Sequence, residues 1–428
     1  MKVDLLYGQK GLSLDLPGSL DLTVVAKPSM PVLSDPEKAV REALAMPVAS
    51  RPLEELARGR QSVCVLMCDV TRPVPNRLLL EGLLEAIRAA GMPNEKVTIL
   101  VATGLHRPNE GEELLRLVGS REIIDSYRVE NHFATRKEDH VFLGETPGGV
   151  PVGIDRRFAE ADLRIVTGLV EPHFMAGFSG GRKVVAPGVC HESTIRSFHG
   201  SGIMGHASAR NLNLRGNPLH AEQMHIIGLL SPVYAVNVVI DDVRRPSFVN
   251  FGEVGASHQK AVAFAEPFFG VKVPRRFSTI ITSSAGAPLD MTYYQTVKGI
   301  VGIKDALAPG GRVFIASDCG EGLGSADFRR SQEALIEMGV EAFLNSIGSK
   351  PMAAVDEWQT QKLTEILSLG DVVLYAPNLT EGDRRLTGAG YTDDLGKAVA
   401  EWVDQIGDRS VLVVPEGPYV IPLVGNGG

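Results

Sequence analysis

The stretch from Gly168 to Val189 reads GLVEPHFMAGFSGGRKVVAPGV, and places His173, a cluster of glycines and Lys183 on one segment behind an apolar run. Imidazole is the side chain whose unperturbed pKa lies nearest neutrality. A histidine at such a position can therefore take up and give back a proton. His106, in ATGLHRP, has the same setting, directly after an apolar run and between Gly104 and Arg107. A lone histidine is most often a structural hydrogen-bonding residue. Two in matching positions suggest convergence on one ligand, and a facing pair of bases suits an enzyme that inverts a stereocentre.

Lys183 invites comparison with a phosphate-binding loop, since GFSGGRK presents glycine amides ahead of a lysine. The match fails, because that loop needs Gly before the lysine and a hydroxyl after it, where this chain has Arg182 and Val184. The lysine then reads as a covalent attachment point or a substrate clamp, and the apolar VVAPGV that follows argues against a plain solvated side chain. His199, in RSFHGSG, is a candidate metal ligand, with His191 and His206 as nearby alternatives. No HExxH or other tight ligand spacing supports any of the three.

Arg72, in CDVTRPVP, and Lys298, in DMTYYQTVKG, are cations beside turns, which points to an anionic ligand such as a carboxylate. Tyr294 and Gln295 precede Lys298 within one turn at the start of an expected helix. Tyr294 and Lys298 share its face as an i, i+4 pair. A helix start with ordinary surface polarity is the alternative.

The elements that must position these residues follow from periodicity. An N-terminal hairpin is expected at 3–7 and 12–16, then a linker-like stretch rich in Pro and Ala. Short apolar runs at 62–67, 96–102, 161–168 and 233–240, and later at 277–284, 311–317, 371–377 and 410–417, alternate with helical patterns such as PNRLLLEGLLEAIRAAG. That alternation predicts an α/β fold of two domains with mainly parallel sheets flanked by helices. We place an N-terminal domain at 1–270 and a C-terminal α/β domain at 271–428, joined at EPFFGVKVPRR. CDVTRP, TGLHRP, GLVEPHF, SAGAPLD and DCGEGLG each fall at a strand's carboxyl end, where open sheets bind ligands. Five such loops predict an active site in the cleft between the domains.

At 428 residues the chain has material for more than one core. Its net charge of −8, without long single-sign runs, gives no footprint for nucleic acid or anionic membrane. Four cysteines, Cys64, Cys68, Cys190 and Cys319, are too few for a disulfide framework and read as reduced buried thiols. No signal-peptide pattern or long apolar run is present, so a cytoplasmic protein acting on a small molecule is expected.

Taken together, CDVTRPVP, TGLHRP, EPHFMAGFSGGRKVVAPG, the HG at 199–200, GNPLH at 216–220 and PLDMTYYQTVKG resemble the lactate racemase family over nearly the whole chain. The resemblance implies a nickel-pincer nucleotide, a pyridinium thioamide thiocarboxylic acid mononucleotide carrying nickel, linked through Lys183. It implies His199 as the nickel's protein ligand, and Asp69 and Thr71 beside the cofactor. His106 and His173 become the paired acid/base residues. Arg72, Tyr294, Gln295, Lys298 and Trp358 become the substrate-binding set, although Trp358 also reads as a core residue of an amphipathic helix. The implied reaction is racemisation or epimerisation of a 2-hydroxy acid by proton-coupled hydride transfer, with cofactor biosynthesis enzymes as partners. Proton abstraction alone is a poor route, because the Cα–H beside a carboxylate is barely acidic. Two other readings remain: a zinc-dependent hydrolase using His106, His173 and His199, and a cofactor-free carboxylate-binding protein. Pocket candidates such as Phe174, Met175, Ala287 and Tyr293 do not fix the substrate, since one methylene changes discrimination by only about 1–3 kcal/mol.

Overall fold

The computed structural model describes residues 1–425 and divides into two compact units. One comprises Ser29–Phe198 with Asn213–Glu266. The other comprises Met1–Pro28, His199–Leu212 and the chain from Pro267 onward. Each is built on a six-stranded sheet with helical connections, the α/β class expected from the alternating pattern.

In the first unit the strand order is Pro246–Glu253, Tyr234–Ile240, Leu163–Leu169, Val63–Cys68, Val97–Ala102 and Arg128–Asn131. All pairings are parallel except the edge pair Tyr234–Ile240 with Pro246–Glu253. The central strand Val63–Cys68 is a continuous apolar run because helices cover both faces of a parallel sheet. Val63, Cys64, Val65, Leu66 and Met67 are all fully enclosed. Helix Asn76–Ala89 places Leu79, Leu80, Leu83, Leu84 and Ile87 on one stripe against that sheet. Each such side chain, fully buried, stabilises the fold by about 1.5–3 kcal/mol. Gly91, at φ +85°, ends the helix in a conformation other residues seldom adopt.

In the second unit the order is Gly390–Tyr391, Asp371–Tyr375, Leu307–Ala316, Phe277–Ser283, Ser410–Val414 and Asp21–Val24, parallel throughout. Asp21–Val24 lies in the stretch that reads as a linker. It is a four-residue edge strand with no fully buried side chain, so it lacks the apolar signature of a strand although its backbone pairs with Ser410–Val414. The same stretch also holds helices Pro36–Ala45 and Leu53–Ala57. At EPFFGVKVPRR, helix Val254–Phe269 runs straight into strand Gly270–Val273, which pairs with Ile421–Val424. The N-terminal hairpin forms between Lys2–Leu5 and Leu12–Asp15.

Among the described residues no helix is long and apolar enough to cross a membrane. All four cysteines are free thiols.

Candidate active site

Leu163–Leu169, Val63–Cys68 and Val97–Ala102 are adjacent parallel strands, so the three loops that follow them leave the same edge of one sheet. Those loops carry Asp69 to Arg72, His106, and Glu171 to His173.

The first contact is between the first two loops. His106 Nδ1 lies 2.6 Å from Asp69 Oδ2, with the imidazole exposed and the carboxylate buried. Thr71 donates to the other carboxylate oxygen from both its hydroxyl, at 2.5 Å, and its backbone N–H, at 3.1 Å. Burial pushes the Asp69 carboxyl up, but the hydrogen bonds from His106 and Thr71 outweigh it and hold the group below the usual aspartate range. Asp69 is therefore ionised, His106 carries its proton on Nδ1, and its Nε2 lone pair faces outward as a base. Asn at position 69 can offer its amide N–H to Nδ1, which moves the ring proton to Nε2. We expect Asp69→Asn to lower kcat by roughly 100- to 10,000-fold with the protein still folded. Because the native carboxyl is depressed, its contribution to stability is present above the ordinary aspartate pKa and is lost as pH falls through the native value. Acid unfolding followed by circular dichroism should thus be less steep below about pH 4 in the variant.

Lys183 opens the short helix Arg182–Val185, behind the turn at Gly180 and Gly181. Both glycines have positive φ, at +78° and +49°. A Cβ on Gly168 would stand 2.8 Å from the Gly180 Cα, so the strand end and this turn meet backbone to backbone. The Thr103–His106 turn is tied to the segment that follows this helix, where Gly104 N–H donates to the Gly188 carbonyl at 2.9 Å. Lys183 is half-buried, and burial, followed by the positive charge of Arg72, brings its amine down to about 7, with smaller opposing contributions from Cys68 and Asp69. Near neutral pH much of it is an uncharged nucleophile. The neighbouring Cys68 thiol is pushed up to about 12 by burial and then by Asp69, and stays protonated. An unfolded chain binds a proton at Lys183 that the native state releases above about pH 7, so native stability rises from there toward pH 10. Lys183→Met is expected to raise the melting temperature of cofactor-free protein at pH 7 and to flatten that rise, as read by calorimetry across the range.

His173 sits in a two-residue ladder, Pro172–His173 against Gly177–Phe178. Its Nδ1 accepts from the backbone N–H groups of Met175, at 3.3 Å, and Ala176, at 3.2 Å. The neutral ring therefore carries its proton on Nε2, the reverse of His106. Two residues upstream, buried Glu171 pairs with Arg72 at 2.9 Å and links the first loop to the third. Arg72 thus stands at the same sheet edge with one nitrogen of its fork on Glu171.

The remaining predicted residues belong to the other unit. Thr292 caps helix Tyr293–Gly302 by accepting from the Gln295 N–H, and so fixes the turn that carries Tyr294, Gln295 and Lys298. The Tyr294 ring stands edge-on to Phe328 at 5.1 Å. Gln295 Oε1 is buried with no hydrogen-bond partner among the described residues. His199 and Trp358, both nearly buried, pack with ring centroids 4.6 Å apart and planes tilted by 34°. Among the described residues no group of three or more His, Cys, Asp or Glu side chains is arranged to hold a metal ion.

Sequence reasoning missed Glu171 as the partner of Arg72, although it stands in the quoted EPHF. It also missed Asp69 as the orienting group of His106. The signal available was an acidic residue at the end of the neighbouring strand, which only the strand order converts into a contact.

Sequence profiles described as "Lactate racemase N-terminal domain" and "Lactate racemase C-terminal domain" match residues 7–211 and 274–422. The chain is 31% identical over 427 residues to a lactate racemase of Thermoanaerobacterium thermosaccharolyticum, covering 98% of each. It is 30% identical over 391 residues to one of Lactiplantibacillus plantarum, covering 90% of each. The solved lactate racemase apoprotein from T. thermosaccharolyticum superposes with a TM-score of 0.89 at 29% identity, covering 99% of this chain and 100% of that one. A Thermotoga maritima protein at 18% identity and TM-score 0.67, covering 94% of this chain and 100% of that one, shares the fold. With the resemblance of its motifs thus extended to nearly every residue, the chain belongs to the lactate racemase family and is an isomerase.

Proposed function

We propose that this racemase interconverts the stereoisomers of a small 2-hydroxy carboxylate with a nickel-pincer nucleotide held covalently by Lys183. The observation that carries the reading is the placement of Lys183 at the sheet edge that also bears the Asp69–His106 pair, where burial brings its amine down to about 7 and leaves a large uncharged fraction near neutrality. An amine in that state fits an acyl-type linkage, which a protonated surface lysine does not. His199 fits as one imidazole donor to a metal; among the described residues no group of three or more His, Cys, Asp or Glu is arranged to hold one, and an organic group would bring the other donors. When bound, the nucleotide supplies an electrophilic ring carbon that can take up and return a hydride at the substrate Cα.

The chain's own residues then divide the remaining work. His106 Nε2 takes the substrate hydroxyl proton, and ionised Asp69 stabilises the imidazolium that results. His173 offers its Nε2–H to the substrate oxygen from the other side and gives that proton to an alkoxide there; solvent then takes the proton gained by His106 and restores the one lost by His173, so each ring ends the turnover as it began. Arg72, Lys298, Gln295 and Tyr294 grip the carboxylate and oxygen atoms. Trp358 braces His199 by ring contact, and Thr71 holds Asp69 beside the cofactor. Cytoplasmic enzymes that build the nucleotide are the expected partners.

Protein made together with those enzymes is the material for the test. Intact mass, metal content and the decay of optical rotation of single-enantiomer lactate and other 2-hydroxy acids would be read on one preparation. The expected result is an adduct, nickel and loss of rotation. Zinc without an adduct would favour the hydrolase reading, and carboxylate binding without adduct or turnover the cofactor-free one.

A further inference from the structure

Arg182 is the largest fully enclosed side chain in the molecule, and it is a cation. Its Nε donates to His220 Nδ1 at 2.8 Å, its Nη1 lies 2.8 Å from His258 Nε2, and its Nη2 donates to the Ala176 carbonyl at 2.9 Å. No carboxylate is among these partners. Burial and then the Arg182 charge bring the His220 imidazole down to about 4 and hold His258 well below its ordinary value, so both rings are neutral. A buried cation without an anion carries a large desolvation cost, and a methionine of similar length would avoid it. The fork must supply something an apolar side chain cannot.

What it grips is the turn that orients His173. Asn217, the second residue of GNPLH, donates from Nδ2 to the Met175 carbonyl at 2.8 Å, while its Oδ1 caps helix Pro218–Leu230 at the N–H groups of Leu219 and His220. The Met175 carbonyl and the Ala176 N–H belong to one peptide plane. Asn217 holds one end of that plane and His173 Nδ1 accepts from the other. Arg182 holds the next plane through the Ala176 carbonyl, and is itself held by His220, three residues beyond Asn217 on the same helix. The bonds close a ring from the helix through both carbonyls of the turn and back.

We propose that Arg182, Asn217 and His220 are positioning residues: they hold the Met175 and Ala176 carbonyls, and with them the turn that follows His173, so that the Met175 and Ala176 amides pin the His173 ring with its proton on Nε2. The inference rests on the reading of His173 as a proton-transfer residue. It adds that the two histidines are held in opposite tautomers by unlike devices, a carboxylate for His106 and backbone amides for His173. In the resting enzyme one ring thereby offers a lone pair and the other an N–H toward the substrate oxygen.

Two-bond nitrogen–proton correlation spectra of isotope-labelled histidine report the tautomer directly on the folded full chain without cofactor. The His173 signals are identified by their loss in His173→Gln. Wild type should show the Nε2–H form. Asn217→Asp keeps the helix cap but cannot donate to the Met175 carbonyl, and Arg182→Lys loses the fork, so either should shift His173 to a mixture of tautomers. In cofactor-loaded enzyme both should lower kcat about 10- to 100-fold with KM and adduct mass unchanged. If Arg182→Lys does not fold, Asn217→Asp alone decides the question. Unaltered His173 signals in the folded variants overturn the clamp whatever happens to activity. A shifted tautomer with normal turnover would support the clamp and count against His173 as the proton carrier.

Discussion

Lys183→Ala, produced beside the cofactor biosynthesis enzymes, is expected to emerge with the unmodified polypeptide mass, without nickel and with no measurable racemisation. The loss should be complete because no second nucleophile stands ready to replace it. The Cys68 thiol next to it is protonated, held there by burial and by Asp69. Arg182 is fully enclosed and turned into its own cage of histidines. Lys183→Arg is the informative control, since it keeps a cation and loses the nucleophile. Retention of the wild-type adduct by either variant would remove Lys183 from the anchor role, whatever the activity.

His106→Ala and His173→Ala should give the opposite pattern, with cofactor mass and nickel retained and turnover lowered by roughly 100- to 10,000-fold each. For a pair of enantiomers the equilibrium constant is unity, so kcat/KM must fall equally in the two directions in each variant, while kcat and KM need not. Starting from either enantiomer and following optical rotation checks this. His106→Ala also leaves the buried Asp69 carboxylate without its strongest partner, so this variant should bring the Asp69 pKa back up and lose stability sooner on acidification. His173→Ala removes an acceptor from two amides in a turn still held by Arg182 and Asn217, and should cost less stability. Should either variant lose its adduct instead, the division between anchoring and proton transfer would have to be redrawn.

The four inner strands of each sheet were legible because strands buried on two faces leave unbroken apolar runs, whereas the edge strands, Pro246–Glu253 and Gly390–Tyr391 among them, were not. SVCVLM and VVLY need no neighbour to be recognised. Asp21–Val24 and Arg128–Asn131 were not legible, because an edge strand half in solvent carries mixed residues and owes its form to the strand beside it. The site divides in the same way. His106, His173 and Lys183 announce themselves by residue type at strand ends. Their tautomers and charge states do not, since these depend on Asp69, on the amides of Met175 and Ala176, and on burial, all of which require the strand order and the turn geometry. GNPLH stood out as a string, and only coordinates reveal that its Asn and His reach back across some forty residues to one turn and one guanidinium.

The path of the chain between the two units has a bearing on how the molecule can be made. It passes from one to the other four times, after residues 28, 198, 212 and 266, so no single cut releases either half as a continuous piece. Strand Asp21–Val24 finds its partner Ser410–Val414 only after almost the entire polypeptide has left the ribosome. One sheet can be completed early in translation, while the other keeps an unpaired border waiting for the last segment, and this late closure is the step a chaperone or a truncation would touch first.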